Sequence, residues 1–349
     1  MRIGRWFGGA TSATALLLAA TLGSGPFSTP PGVAEEAIPA VFCAPDEAPP
    51  AWAVGVLATE AGLGVTYPGL PYRVVVPGLA YLTGTSPAAP PTEGLTDLRA
   101  ELAGAIGSAS TPGDFAFAVT DLQTGEHISI NGDRTQRAAC VMNLFAIVAA
   151  LRDVQAGFFP LEDVDALIRR TIYASDAVTG RALYERLGNG DVVAGVARVR
   201  ELQREVIGMQ STSLDHPPAF PNESLGLSAD NLITAGDANL SLSALYHGQL
   251  LNEDLTAWLI DAMVGVKPGL NYLTAALPTE ATVSHKNGFV ALWDGYVDND
   301  VAIVRFGPDR QYAYAVSYFS ERVPVQYADI PLAQSLVRMT WEYFSEAYR

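Results

Sequence analysis

From residue 95 onward the hydrophobic positions change period several times. Leu95, Leu98, Leu102 and Ile106 recur at helical spacing and predict a first helix. Two short strand-like runs follow, Phe115 to Thr120 and His127 to Ile130, joined by a turn that ends on Gly125, which predicts a hairpin. Between Cys140 and Ala156 apolar residues occupy every side of the helical wheel, and Asn143 is the sole polar residue before Arg152. A helix apolar all round is a buried helix.

Further helices are expected at Leu161 to Ile172, Thr179 to Leu187 and Val192 to Val206, then a proline-containing loop to about Ala238, then helices at Leu240 to Leu251 and Leu255 to Val264. The period then falls to two. Thr282 to Val290, Val301 to Phe306 and Tyr312 to Tyr318 read as strands, and a last helix runs from about Pro331 to Tyr348. Strands near both ends with helices between them predict an α/β (α+β) domain over 95–349. Its mainly antiparallel five-stranded sheet is flanked by helices and carries an all-helical lobe.

The segment before this domain has another character. Arg2 and Arg5, an apolar stretch from Ala13 to Leu22, and then small residues and Pro26 are the ordered parts of a secretory signal. Cleavage is expected at about residue 24, or as late as 34. The apolar stretch is shorter than the roughly 20 residues a bilayer span needs, so no lasting membrane span is expected. Residues 25–91 are rich in Pro and Gly and read as an extension. Localisation is therefore expected to be secreted or extracytoplasmic, in the cell envelope.

Composition narrows the partners. With 37 acidic against 21 basic residues the net charge of the 349-residue chain is -16, a field that repels phosphate backbones, so nucleic acid is not an expected partner. The four histidines, 127, 216, 247 and 285, lack metal-ligand spacing, and neither metal nor cofactor is expected. Lysine is nearly absent: Lys267 and Lys286 are the only two. A lysine in the strand-like string His285-Lys286-Asn287-Gly288 is thus a singular choice.

Three strings together resemble the class A β-lactamase and penicillin-binding group of exported serine hydrolases. Cys140-Val141-Met142-Asn143, opening the buried helix, sits where that family has Ser-x-x-Lys. Ser175-Asp176-Ala177 sits where it has Ser-Asp-Asn, and Lys286-Asn287-Gly288 where it has Lys-Thr-Gly. The resemblance covers roughly residues 95–349 and implies a cleft bordered by Cys140, Ser175 and Lys286 as the catalytic positions. Asn143, Asp176, Asn287 and Gly288 are then the ligand-binding positions.

The departures bear directly on chemistry. Cys140 at a helix start would feel the positive end of the macrodipole, which favours a nucleophilic thiolate, or it is a buried small hydrophobe. Asn143 lies one turn away on the same face, but an amide has no proton equilibrium with which to replace a lysine base. Its other use is to satisfy neighbouring carbonyls. Ser175 and Asp176 also read as helix caps, and Lys286 as a charge guarding a sheet edge. Glu223, the acidic residue where a loop base would be sought, reads as an exposed loop residue. In an oxidising compartment a Cys43–Cys140 disulfide competes with any thiol chemistry.

Three readings remain open. The first is a degenerate member, expected to be a monomer, that binds a small-molecule, acidic or peptidoglycan-like ligand without turnover. The second is a β-lactam or amide hydrolase with Cys140 as nucleophile, and the third a non-catalytic envelope scaffold.

Overall fold

The computed structural model describes residues 94–218, 220–264 and 272–349. The expected signal segment, the extension 25–91 and Cys43 lie outside them. Five strands form one antiparallel sheet in the order β2-β1-β7-β6-β5. They are β1 Asp114–Asp121, β2 His127–Ile130, β5 Thr282–Leu292, β6 Gly295–Phe306 and β7 Tyr312–Glu321. Two-residue strands β3 Gln136–Arg137 and β4 Leu232–Ile233 pair separately. First and last strands of the sequence meet at the centre, where Phe117 of β1 faces Tyr318 of β7.

Helices α1 Thr96–Gly107 and α8 Ile330–Ala347 cover one face of the sheet. Leu98, Leu102, Leu336, Val337 and Phe344 pack there with Val119, Val304 and Tyr314. The other face supplies Ala116, Ala118, Val301, Ile303 and Ala315 to a second core. That core is shared with α2 Asn143–Gln155, α3 Asp165–Ala174, α4 Ala177–Leu187, α5 Val192–Glu201, α6 Ala235–Tyr246 and α7 Glu253–Ala262. α2 is buried along nearly its whole length, as its apolar pattern predicts.

Four details differ from the expected elements. Residues Ala139–Met142 form a 3-10 turn leading into α2, so Cys140 lies on a tighter helix than expected. The helix expected over 192–206 changes to a π turn at Leu202–Ile207. α6 begins at Ala235, five residues earlier than its apolar pattern, because the Thr234 side chain accepts from Asp237 N and caps it. β6 begins at Gly295 rather than Val301, since its buried polar run Asp298-Asn299-Asp300 pairs its backbone with β5, and Asn299 and Asp300 find side-chain partners at Ser320 and His285.

Candidate functional site

Residue 139 sets the entrance to the buried helix. Ala139 has φ 46, a left-handed conformation rare for a residue with a β-carbon, and it turns the chain out of β3 into the 3-10 turn. Asn299 Nδ2 holds this turn, donating to Arg137 O at 2.8 Å and Ala138 O at 3.2 Å. The Arg137 guanidinium grips Asp294 of the β5–β6 hairpin through two bonds, of 3.1 and 2.9 Å. The hairpin and the start of α2 are thereby locked together.

Gly288 marks the closest approach between them. A β-carbon on it would stand 2.9 Å from both Cys140 N and Val141 N and 3.0 Å from Ala138 O. Only glycine lets β5 pass so near these backbone groups. Cys140 is disulfide-bonded and 1% exposed; Cys43, the chain's other cysteine, lies outside the described residues. A thiolate nucleophile at 140 is displaced by that bond.

Two helices meet at the Ser-Asp pair. Ser175 closes α3 with φ 48, and Asp176 caps α4, accepting from Thr179 N at 2.8 Å. The reading as a cap of the following helix thus holds for Asp176 alone; Ser175 ends the preceding helix and its hydroxyl is used elsewhere. The left-handed turn brings Ser175 Oγ onto β5, where it donates to Asn287 Oδ1 at 3.1 Å and accepts from Lys286 Nζ. Asp176 pairs with Arg170 at 2.9 Å. Burial works to raise its carboxyl, but the Thr179 N–H and the Arg170 guanidinium hold it below the ordinary carboxylate value.

Lys286 is fully buried, which removes the edge-guard reading. Its Nζ also donates to Asn287 O at 2.6 Å. Burial pulls the ammonium down to about 7, against a smaller opposing pull from the Asp300 charge. Asp300 in turn binds His285 Nδ1 at 2.9 Å and Leu273 N at 3.2 Å. Sequence reasoning missed Asp300 because Asp298-Asn299-Asp300 breaks the apolar alternation of β6. The signal available was its position in a hairpin facing the lone lysine strand, where Asn287 pairs with Asp300.

Asn143 is 1% exposed and its Nδ2 has no acceptor among the described residues, so it is not satisfying neighbouring carbonyls. It faces Gly180, whose β-carbon would stand 3.0 Å from Nδ2. Asn287 Nδ2 is a second buried amide donor without an acceptor. Glu223 is ion-paired, its carboxylate held by Arg181 at 2.5 and 2.9 Å. Among the described residues no group of three or more His, Cys, Asp or Glu is placed to hold a metal, and no helix is long and apolar enough to cross a membrane.

The structure therefore gathers Cys140, Ser175, Asp176, Lys286, Asn287 and Gly288 around one closed centre, with Asn143 a turn beyond Cys140. A cavity of about 340 Å³ lined by Ala149, Arg152, Asp153, Arg198 and Glu205 lies toward the other end of α2. It contains none of these residues.

Comparison with known proteins agrees with the fold. The family model described as "Beta-lactamase enzyme family" matches residues 97–164 and 163–344. A mutant of the class A β-lactamase of the last common ancestor of Gram-negative bacteria is 24% identical, with TM-score 0.60, over 71% of this chain and 98% of that one. The structure of PBP-A is 19% identical, with TM-score 0.61, over 74% and 99%. The chromosome-encoded β-lactamase of Vibrio parahaemolyticus is 17% identical, with TM-score 0.59, over 71% and 99%. No curated protein matches the chain.

Proposed function

The chain belongs to the β-lactamase enzyme family, and we propose that within it this is an exported, non-hydrolytic member that binds a small carboxylate-bearing or peptidoglycan-like ligand. The observation that carries this reading is the pair of amides, Asn143 and Asn287. Each places a buried Nδ2 donor at the site with no acceptor among the described residues. A buried amide donor left unpaired costs about 1–3 kcal/mol, a penalty that an acceptor oxygen of a ligand removes. Lys286 beside Asn287 supplies the adjoining charge or hydrogen-bond donor.

Loss of turnover has three supports. The sulfur at 140 is in a disulfide, the amide at 143 accepts no proton in the working range, and Glu223 is occupied by Arg181. Export follows from the N-terminal signal pattern, and a disulfide-bonded cysteine is suited to an oxidising compartment. A thermal-shift titration with benzylpenicillin and with soluble muropeptides tests the binding. A concentration-dependent rise in Tm, lost in Asn287→Ala, is expected. No stabilisation by either ligand would defeat the reading.

A further inference from the structure

The contact between Ser175 and Lys286 holds chemistry that ligand binding leaves unused. Lys286 Nζ sits in direct hydrogen-bond contact with Ser175 Oγ, and both side chains are fully buried. Ser175 is held at φ 48, where a non-glycine residue persists only because its surroundings enforce it. Asn287 steadies the pair from both sides, its Oδ1 accepting from Ser175 and its carbonyl from Lys286. Hydroxyl, amine and orienting amide are the parts of a serine–lysine nucleophile.

We propose that Ser175 is a covalent acyl acceptor, with Lys286 as its base, so that the protein captures one acyl group from an activated ester or lactam. The inference rests on the binding reading, because the site must first admit the donor. Ser175 Oγ attacks the carbonyl carbon while its proton moves to Lys286 Nζ. The tetrahedral adduct collapses as the bond from the carbonyl carbon to the leaving oxygen or nitrogen breaks, and the proton on Nζ passes to the leaving atom. The product is a Ser175 ester, with the alcohol of an ester donor freed and the amine of an opened lactam still tethered to the bound acyl group. No electrons are exchanged with a third reactant.

Two features support the two halves of the proposal. With burial bringing Lys286 to about 7, a large fraction of it carries a free lone pair at neutral pH. Release of the ester is disfavoured because Ser175 is 0% exposed, Asn143 has no proton-accepting lone pair on its amide nitrogen and Glu223 is held by Arg181. Capture is thus stoichiometric rather than catalytic. Because the hydroxyl is buried, the acyl group it accepts is small.

The test is 4-nitrophenyl acetate with the full-length, oxidised protein. Expected are a burst of one nitrophenolate equivalent, a gain of one acetyl group by intact mass, and peptide mapping of that group to Ser175. Ser175→Gly, which tolerates the left-handed backbone, abolishes the burst, and Lys286→Met slows it at least a hundredfold. A mapped adduct elsewhere, a burst that survives Ser175→Gly, or no burst at all overturns the proposal. The thermal-shift titration with benzylpenicillin reads the binding separately, so the nucleophile can fail while the binder stands.

Discussion

Replacing Lys286 with methionine keeps most of the side chain's length and removes the charge that the fold buries. Burial brings this ammonium from its ordinary 10.5 to about 7, a displacement that corresponds to about 5 kcal/mol of disfavour for the charged form. The sign follows from proton counting. Between about 7 and 10.5 the unfolded lysine holds a proton that the folded one has released, so stability rises with pH across that window. Below about 7 both states are protonated and the full penalty of burying the charge is felt. From pH 7.5 to 9.5 the lysine alone adds about 2–3 kcal/mol to unfolding free energy. At a typical urea slope that moves the midpoint by about 1 M. Urea unfolding of wild type and Lys286→Met at both pH values gives a double difference in which other titrating groups cancel. If the two proteins gain equally with pH, Lys286 is charged in the folded state and the buried neutral amine is refuted.

Other expectations follow from the same contacts. Gly288→Ala puts a β-carbon 2.9 Å from two backbone nitrogens and should destabilise by about 1–3 kcal/mol in urea unfolding, more than alanine at the uncrowded Gly104; equal effects would contradict the close approach. Asp298 and Asp329 are both fully buried, and burial with the neighbouring Asp329 charge raises the Asp298 carboxyl. The protonated group then favours the fold at low pH, an advantage lost as pH rises through the folded value. Asp298→Asn should remove that decline, and an unchanged Tm profile from pH 5 to 8 would count against it. Asp176→Ala removes the α4 cap and the Arg170 partner, and should cost about 1 kcal/mol by denaturant midpoint; a cost near zero would place the cap's energy elsewhere.

Much of the fold was legible because its signals are local. The all-apolar run after Cys140 required burial, the hairpin at 121–125 required a turn, and the period-two runs near the C-terminus required strands. The candidate site was legible through scarcity: a lysine in a chain that otherwise uses arginine drew the eye to β5, and Ser175 proved to be its partner. What escaped depends on tertiary partners. Asp298-Asn299-Asp300 breaks the apolar alternation and fell outside the expected strand, yet it is the interior of β6, with Asn299 held by Ser320 and the backbone at Arg137 and Ala138 and Asp300 by His285. The start of α6 hid behind Ala235-Gly236-Asp237, whose helix is set by a single threonine cap. Nor does composition reveal the left-handed Ala139, since alanine rarely adopts it without enforcement by packing.

Hydrolysis of a chromogenic cephalosporin, followed over many equivalents with the disulfide intact and again after reduction, tests most directly whether the 140 and 143 positions have lost their chemistry. The account predicts colour no greater than one equivalent of protein in both states. Sustained turnover that Cys140→Ala abolishes would contradict it and make this chain a working cysteine hydrolase.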